Sequence, residues 1–468
     1  MKKKFFLGLL LSTIFIMAFS ASAWAVDIRV LLSNSNSSLN FSVADGEYTL
    51  LDRSTSFPIM NCTAGDEITV SLQGSAFKVT VSGDDLGSFS GPINLQAADK
   101  EAKFSFRSTK YRGSFLISKS SSSMIAVNIL DLEKYLYGVV GKEIGYGAPI
   151  EALKAQAVCS RSYAYASRNL SSAYDVTATT SSQTYGGYSA ELVSGGVNVI
   201  EAVDDTEDEV IYYKNPSTKA KTVVSAFYHA NAGGYTENVE NIWGPAAPVI
   251  PFLGVASPED AASSSYSWQK TITAAEMVSL AKSYGGKDIG EFEKLRIYKT
   301  NDTGKGTASG RVYKIEIIGT EATVTATRND IRTALGGLRS TLFDVSTSSG
   351  GVAGSVWIKG SVGAAEKNSD MGGLYAMGSD GVARKVNDGN ESFYIVTAQG
   401  KQQISQAAPA ATATGETIIV NGRGYGHGLG MSQAGAIGMA KNGSSYEDIL
   451  LRYFMNNDED SNFYLDTL

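Results

Sequence analysis

The sequence predicts an α+β fold, β-rich and mixed. Three observations predict it. Residues 27 to about 128 run in short alternating, β-branched stretches separated by Asp-Gly, Ala-Gly and Ser-Gly turns. At Asp131 the apolar spacing switches to that of a helix. Residues 205 to 350 then mix short strands with short helices, and no internal repeat is visible.

The first 25 residues stand apart from the fold. Lys2, Lys3 and Lys4 precede an apolar stretch from Phe5 to about Ser20, and Ala23-Trp-Ala25 forms a small-x-small cleavage site before Val26. That is the pattern of a secretory signal peptide. The apolar run is short for a membrane span, so the chain is expected to be exported, to the cell envelope (periplasm or wall) or beyond. Removing the leader takes away three lysines and no acid, and the net charge falls from −7 to −10. An acidic chain without basic clusters is a poor partner for nucleic acid or anionic lipid.

Cysteine and histidine are sparse. Cys62 and Cys159 permit one disulfide. Cys159, however, falls in an alanine-rich helical stretch, where a free thiol acts as a small apolar residue, so two unpaired cysteines are expected. The two cysteines and two histidines lie in four separate segments without the spacing of a structural zinc site. Neither a metal nor a cofactor is expected.

In chain order, strands are predicted at Ile28–Leu32, Glu67–Ser71, Phe77–Val81, Phe104–Phe106 and Ser114–Ile117. Leu132, Tyr135, Leu136, Val139 and Val140 then mark the apolar face of a helix capped by Asp131. Pro149 opens a second helix that runs to Tyr165. Strands follow near 209–213, 222–228 and 311–317, and helices near 273–283 and 329–335. Residues 346–415 read as a β-rich insertion that ends in the linker Gln403–Gly415. A capping-box sequence, Ser445-Tyr-Glu-Asp448, starts a last helix with Ile449, Leu450, Tyr453 and Phe454 on its apolar face. The implied domains are a leader (1–25), a β-rich region (26–128), a domain that carries the chemistry (129–345 with 416–468), and the insertion.

Both histidines sit in unusual motifs. His427 lies in a run where glycine takes every second position from 422 to 430. If that run is extended, Arg423, Tyr425, His427 and Leu429 share one face and the other is bare backbone, open to close approach by another chain. A flexible glycine loop is the alternative. His229 ends a predicted strand and leads into Gly233 and Gly234, with Trp243 beyond. Trp243, Tyr185 and Tyr425 suit sugar-ring platforms, though buried aromatics are the commoner outcome. Ser432, at a strand-to-helix junction, is not a hydrolase nucleophile, because no histidine follows it. The glycine run lacks the Lys-Ser/Thr of a phosphate loop, so no nucleotide is expected.

Glu143 is the acid with the best physical setting. It follows Leu132 by eleven positions, so on one continuous helix it projects from the apolar face, at a C-terminal end that disfavours negative charge. Both conditions raise a carboxylate pKa, as a general acid near neutrality requires. A solvated or lysine-paired helix-end glutamate fits the same position. Arg161, on the second helix, reaches Glu143 if the two helices form a hairpin, while an ordinary helix-surface arginine fits the spacing better.

Four ordered motifs, Leu132–Glu143, Glu151–Tyr163, Ala226–His229 with Gly233-Gly234, and Gly424–Gln433, together resemble the stage II sporulation protein D (SpoIID/LytB) family, whose studied members are cell-wall lytic transglycosylases. The resemblance covers roughly residues 110–455 with the insertion gapped. It implies two lobes around a substrate groove, a helical hairpin that carries the catalytic acid Glu143, and Arg161 beside that acid. It also implies that Gln183, Tyr185, His229, His427, Ser432 and Gln433 line the groove with Gly233, Gly234, Trp243 and Tyr425. Some relatives bind zinc through His and Cys in the loop that matches Thr179–Tyr185. Ser181 and Ser182 stand there in this chain, so no zinc is expected. The implied activity is cleavage of peptidoglycan glycan strands by a single glutamate, with 1,6-anhydromuramyl products. The alternative is a non-catalytic wall-binding protein or activator of a cell-wall amidase.

Overall fold

The computed structural model describes residues 26–35, 38–244, 252–347, 411–455 and 462–468, with the backbone of three short hairpins between 356 and 404. The expected leader and most of the expected insertion lie outside the described residues.

Alternation builds the N-terminal part. In Ala76–Val81 every second side chain is buried, and the same pattern recurs in Lys103–Phe106 and Leu39–Asp45. One sheet orders Val176–Thr177, Asp27–Ser35, Ser123–Asp131, Ser114–Ser120, Ile93–Ala97, Glu47–Asp52 and Phe57–Thr63. The other orders Thr109–Arg112, Lys103–Phe106, Leu39–Asp45, Glu67–Gln73, Ala76–Val81 and Asp84–Phe89. Both contribute to one core that includes Phe41, Leu50, Cys62, Phe77, Phe104 and Phe115.

No clean boundary falls at residue 128. Ser123–Asp131 pairs along its length with Asp27–Ser35, and Ile28, Val30 and Leu130 belong to a second core with the helices. At its end Asp131 caps α1 (Leu132–Tyr137), its carboxylate accepting the N–H groups of Glu133 and Lys134. The predicted single helix is in fact two. α1 stops at Gly138, where an added Cβ would stand 2.6 Å from the Tyr185 ring, and α2 (Val140–Ile144) follows. Glu143 therefore rides on a five-residue helix rather than on a long arm.

α3 (Ile150–Ala166) starts after Pro149, as expected, and is buried on all sides between α4 (Gly196–Asp204) and strand Glu209–Lys214. Its small residues allow that close packing. The strand expected at 222–228 ends at Val223, and a two-residue strand, Tyr228–His229, resumes before α5 (Val239–Trp243).

The stretch assigned to one domain, 129–345, contributes to two cores. Strands Ser267–Thr273, Phe292–Tyr298, Lys314–Gly319, Thr323–Thr327 and Phe343–Thr347 combine with α6 (Ala274–Gly285) and α7 (Asp330–Ala334) around a third core. Ala411–Thr414 and Thr417–Arg423 complete its two sheets, so 411–415 belongs to this unit rather than to the insertion. α8 (Gln433–Lys441) and α9 (Tyr446–Phe454) return to α3 and the second core. Cys62 and Cys159 are both free and buried, in different cores.

Candidate active site at Glu143

Glu143 is half-buried, and one of its carboxylate oxygens accepts the N–H of Thr184 at 2.5 Å. Burial raises its pKa above the ordinary glutamate value; the Thr184 N–H and hydroxyl pull the other way without cancelling that effect. The hydroxyls of Tyr135, Tyr163 and Tyr228 lie close enough to feel its charge. Gln183 is fully buried behind this group. It accepts from the Tyr135 hydroxyl at 3.1 Å and donates to the Tyr228 hydroxyl at 3.1 Å and the Ser160 carbonyl at 3.3 Å. It therefore fixes the Thr179–Tyr185 loop, and with it Thr184, rather than facing a groove.

Arg161 does not stand beside Glu143. It is fully buried and grips Glu133 with two hydrogen bonds of 2.7 and 2.6 Å, while its remaining donors reach the carbonyls of Glu209 and Val203. The reason is packing: α3 is surrounded, and a cation there needs a carboxylate. Arg161 is thus a strut between α1 and α3. Glu133, its partner, was not singled out from the sequence. An arginine in the middle of an apolar, alanine-rich helix was the available signal.

Three more expected groove residues are interior. Tyr185 packs against Tyr111 and Tyr135 and donates to Asn128 at 2.9 Å. Ser432 caps α8 through the Gly435 N–H, accepts the Ala232 N–H and donates to Asp260 at 2.5 Å. Gln433 is buried against Gln156 at 3.2 Å. Asp260, also missed, joins the two glycine motifs, since its other oxygen accepts the Gly234 N–H at 3.1 Å.

The alternating run is not extended. Gly424, Gly426, Gly428 and Gly430 all take positive φ, between 71° and 113°, so every second residue requires glycine for its backbone angle. The expected shared face is accordingly absent: Tyr425 is exposed, His427 half-buried and Leu429 buried. Close approach by another chain does occur, and that chain is the protein's own His229 motif. A Cβ on Gly430 would lie 2.0 Å from the Phe227 carbonyl oxygen, and one on Gly426 2.7 Å from His229 Cβ. Tyr228–His229 pairs in parallel with Met431–Ser432, and Asn231 bridges Tyr425.

This contact brings the histidines together, with ring centroids 5.3 Å apart. His427 Nδ1 accepts the Leu429 N–H, so its proton sits on Nε2, and His229 Nδ1 donates to the Leu429 carbonyl at 3.1 Å. Burial first, then Arg311 and Arg332, pushes the His427 pKa down to about 4. Burial, then His427 and Arg311, holds His229 well below its ordinary value. Both rings are neutral at neutral pH and supply no charge to the site. Trp243, 39% exposed, packs at a tilt with its ring centroid 5.5 Å from that of His427, and Phe227 lies between Trp243 and Tyr163. Tyr425 is 46% exposed at the far side. A series of ring contacts thus runs from Tyr163, near Glu143, through Phe227 to Trp243 and His427.

Comparison with known proteins bears on this arrangement. The stage II sporulation protein family model matches residues 120–213, the segment that contains α1, α2, α3 and the Thr184 loop. The stage II sporulation protein D of Bacillus subtilis is 27% identical over 348 residues, which cover 70% of this chain and 74% of that protein. This chain carries a SpoIID-family domain. An uncharacterized protein of Brachyspira hyodysenteriae is similar to this SpoIID chain at 27% identity, over 75% of the chain and 72% of that protein. The amidase enhancer of Bacillus subtilis is 26% identical over 68% of the chain, which spans 39% of the enhancer. A domain of unknown function matches residues 252–361, which coincides with the unit built on the third core.

Proposed function

We propose that this SpoIID protein is an exported peptidoglycan lytic transglycosylase with Glu143 as its acid and base. Protonated Glu143 gives its proton to the glycosidic oxygen as the bond from C1 of a muramyl residue breaks. The resulting carboxylate takes the proton from that residue's own C6 hydroxyl as O6 bonds to C1. No water enters, and the product ends in 1,6-anhydromuramic acid. One observation carries the reading: burial raises the Glu143 pKa, and among the described residues no second carboxylate is one of the groups that shift it. A hydrolase of the usual kind pairs two carboxylates about 5–9.5 Å apart.

The neutral histidines and the series of ring contacts suit an uncharged sugar backbone better than a charged intermediate. The amidase-enhancer relative favours a second reading, a non-catalytic partner of a cell-wall amidase. Purified protein acting alone on sacculi separates the two. The transglycosylase releases fragments one water lighter than hydrolytic products, and Glu143→Gln lowers the rate by about 10²–10⁴-fold. Uptake of ¹⁸O at new reducing ends, an undiminished Glu143→Gln protein, or no release by the purified protein from either intact sacculi or peptide-free glycan would each overturn the reading.

A further inference from the structure

The glycine run has a second end, away from Glu143. Its first member, Gly422, lies flat against the Trp268 indole: a Cβ there would stand 2.0 Å from the ring. The indole N–H donates to the Gly424 carbonyl at 2.9 Å, which fixes the ring's orientation. Ser267, Trp268, Gln269, Lys270, Leu338 and Arg339 line an open cavity of about 340 Å³ there. That volume is at the lower end of small-ligand sites.

The cavity brings two cations together. Among the described residues neither Lys270 nor Arg339 forms an ion pair, whereas Arg29, Arg112, Arg161, Arg328 and Arg452 each hold a carboxylate. Lys270 is tethered by the carbonyls of Leu335 and Gly336 and makes no ion pair. The nearby Glu276 turns its carboxylate back to Thr273, and Lys270 acts on it only through space. Arg339 is exposed and lies over the Tyr425 ring at 5.8 Å. Arg332, also free of any ion pair among the described residues, is close enough to Tyr425 and His427 to act on both. An aromatic ring beside two cations that hold no carboxylate of their own suits a sugar ring with a carboxylate on a short arm.

We propose that this cavity, within the segment that matches a domain of unknown function, is a subsite for a carboxylate-bearing sugar of the glycan strand. The ring stacks at Trp268, and the carboxylate meets Arg339 and Lys270. The strand then continues past Tyr425 and Trp243 toward Glu143. The choice of ligand rests on the proposed function above; the charge and shape of the cavity do not.

The test uses the full-length Glu143→Gln protein, which cannot process what it binds. Calorimetry compares peptide-free glycan strands, whose muramyl residues carry free lactyl carboxylates, with the same strands after conversion of those carboxylates to neutral amides. Tenfold or tighter binding of the charged strand is expected, with an advantage that shrinks as salt rises. Adding Arg339→Gln or Lys270→Gln brings the charged-to-neutral ratio close to one. Arg339 is exposed, so its variant folds, and a melting curve controls for the capping role of Lys270. Equal affinity for the two strands in the parent, or a preference that survives both substitutions, overturns the subsite. A preference without anhydromuramyl products overturns the catalytic reading alone, and such products without a preference overturn the subsite alone.

Discussion

Replacing Arg161 separates a strut from a catalytic group. Arg161→Gln leaves the Glu133 carboxylate without its guanidinium, at a site where burial already raises the Glu133 pKa against the pull of Arg161. Removal of one partner of a buried pair costs about 3–5 kcal/mol. The carbonyls of Val203 and Glu209 lose donors as well. For a cooperative unit of about 200 residues, each kcal/mol moves the melting temperature by about 2–4 °C, so a fall of about 6–20 °C is expected. Activity falls with the folded fraction. The decisive protein is the double variant Glu133→Gln with Arg161→Met, which removes both charges and keeps most of the volume. It is expected to regain stability by scanning calorimetry and to regain turnover of sacculi at a temperature where it is folded. A double variant that melts like the parent yet releases nothing would refute the strut and place Arg161 in contact with substrate.

Three further outcomes follow from the same geometry. Gly430→Ala combines a φ of +71° with a Cβ 2.0 Å from the Phe227 carbonyl oxygen, whereas Gly443, at +92°, has no neighbour within 4 Å. The first is expected to cost about 2–5 kcal/mol and the second about 1–2 in denaturant midpoints, and equal losses would contradict the packing of the two motifs. His427 is held near 4 against an ordinary 6.5, so as pH falls below 6.5 the unfolded chain takes up a proton that the folded one refuses. Stability therefore drains away between pH 6.5 and about 4, by about 3 kcal/mol from this residue, and an equally steep pH profile for His427→Gln would show otherwise. Glu143 has a raised pKa, so the folded state bears a growing penalty as pH climbs above the ordinary glutamate value of 4.5. Glu143→Gln is accordingly expected to gain melting temperature over the parent at pH 7 but not at pH 4, and a gap that does not change with pH would dismiss the buried-acid assignment.

The sequence showed most where one residue has one local job. Asp131 as a cap, Pro149 at a helix start and the face Ile449, Leu450, Tyr453 and Phe454 depend on neighbours within a turn, and each stands as read. Glu143 proved half-buried for a partly different reason from the one its spacing suggested. The continuous helix that was to carry it is broken at Gly138, and the Thr184 loop covers it instead. Leu39–Asp45 alternates and was legible though not singled out, whereas Phe57–Thr63 contains Pro58 and lacks alternation, and only its pairing with Glu47–Asp52 sets it in place. The site residues that failed did so for a shared reason. Tyr185, Ser432, Gln433 and Arg161 are polar or amphipathic groups whose partners lie between 28 and 277 positions away, and spacing along the chain contains no trace of such partners.

The contact between residues 227–233 and 424–432 has a consequence for biosynthesis. The two segments are about 200 positions apart and hold each other by backbone approach at glycine, so neither is shaped without the other. A chain emerging from its amino end completes the sandwich, α1, α2 and α3 long before the second segment exists. Glu143 is then already in place, with one wall of its surroundings missing. Long-range pairings of this kind form late and slowly. The nascent or truncated protein thus carries Glu143 without the histidine-centred wall, which waits for the last tenth of the chain to arrive.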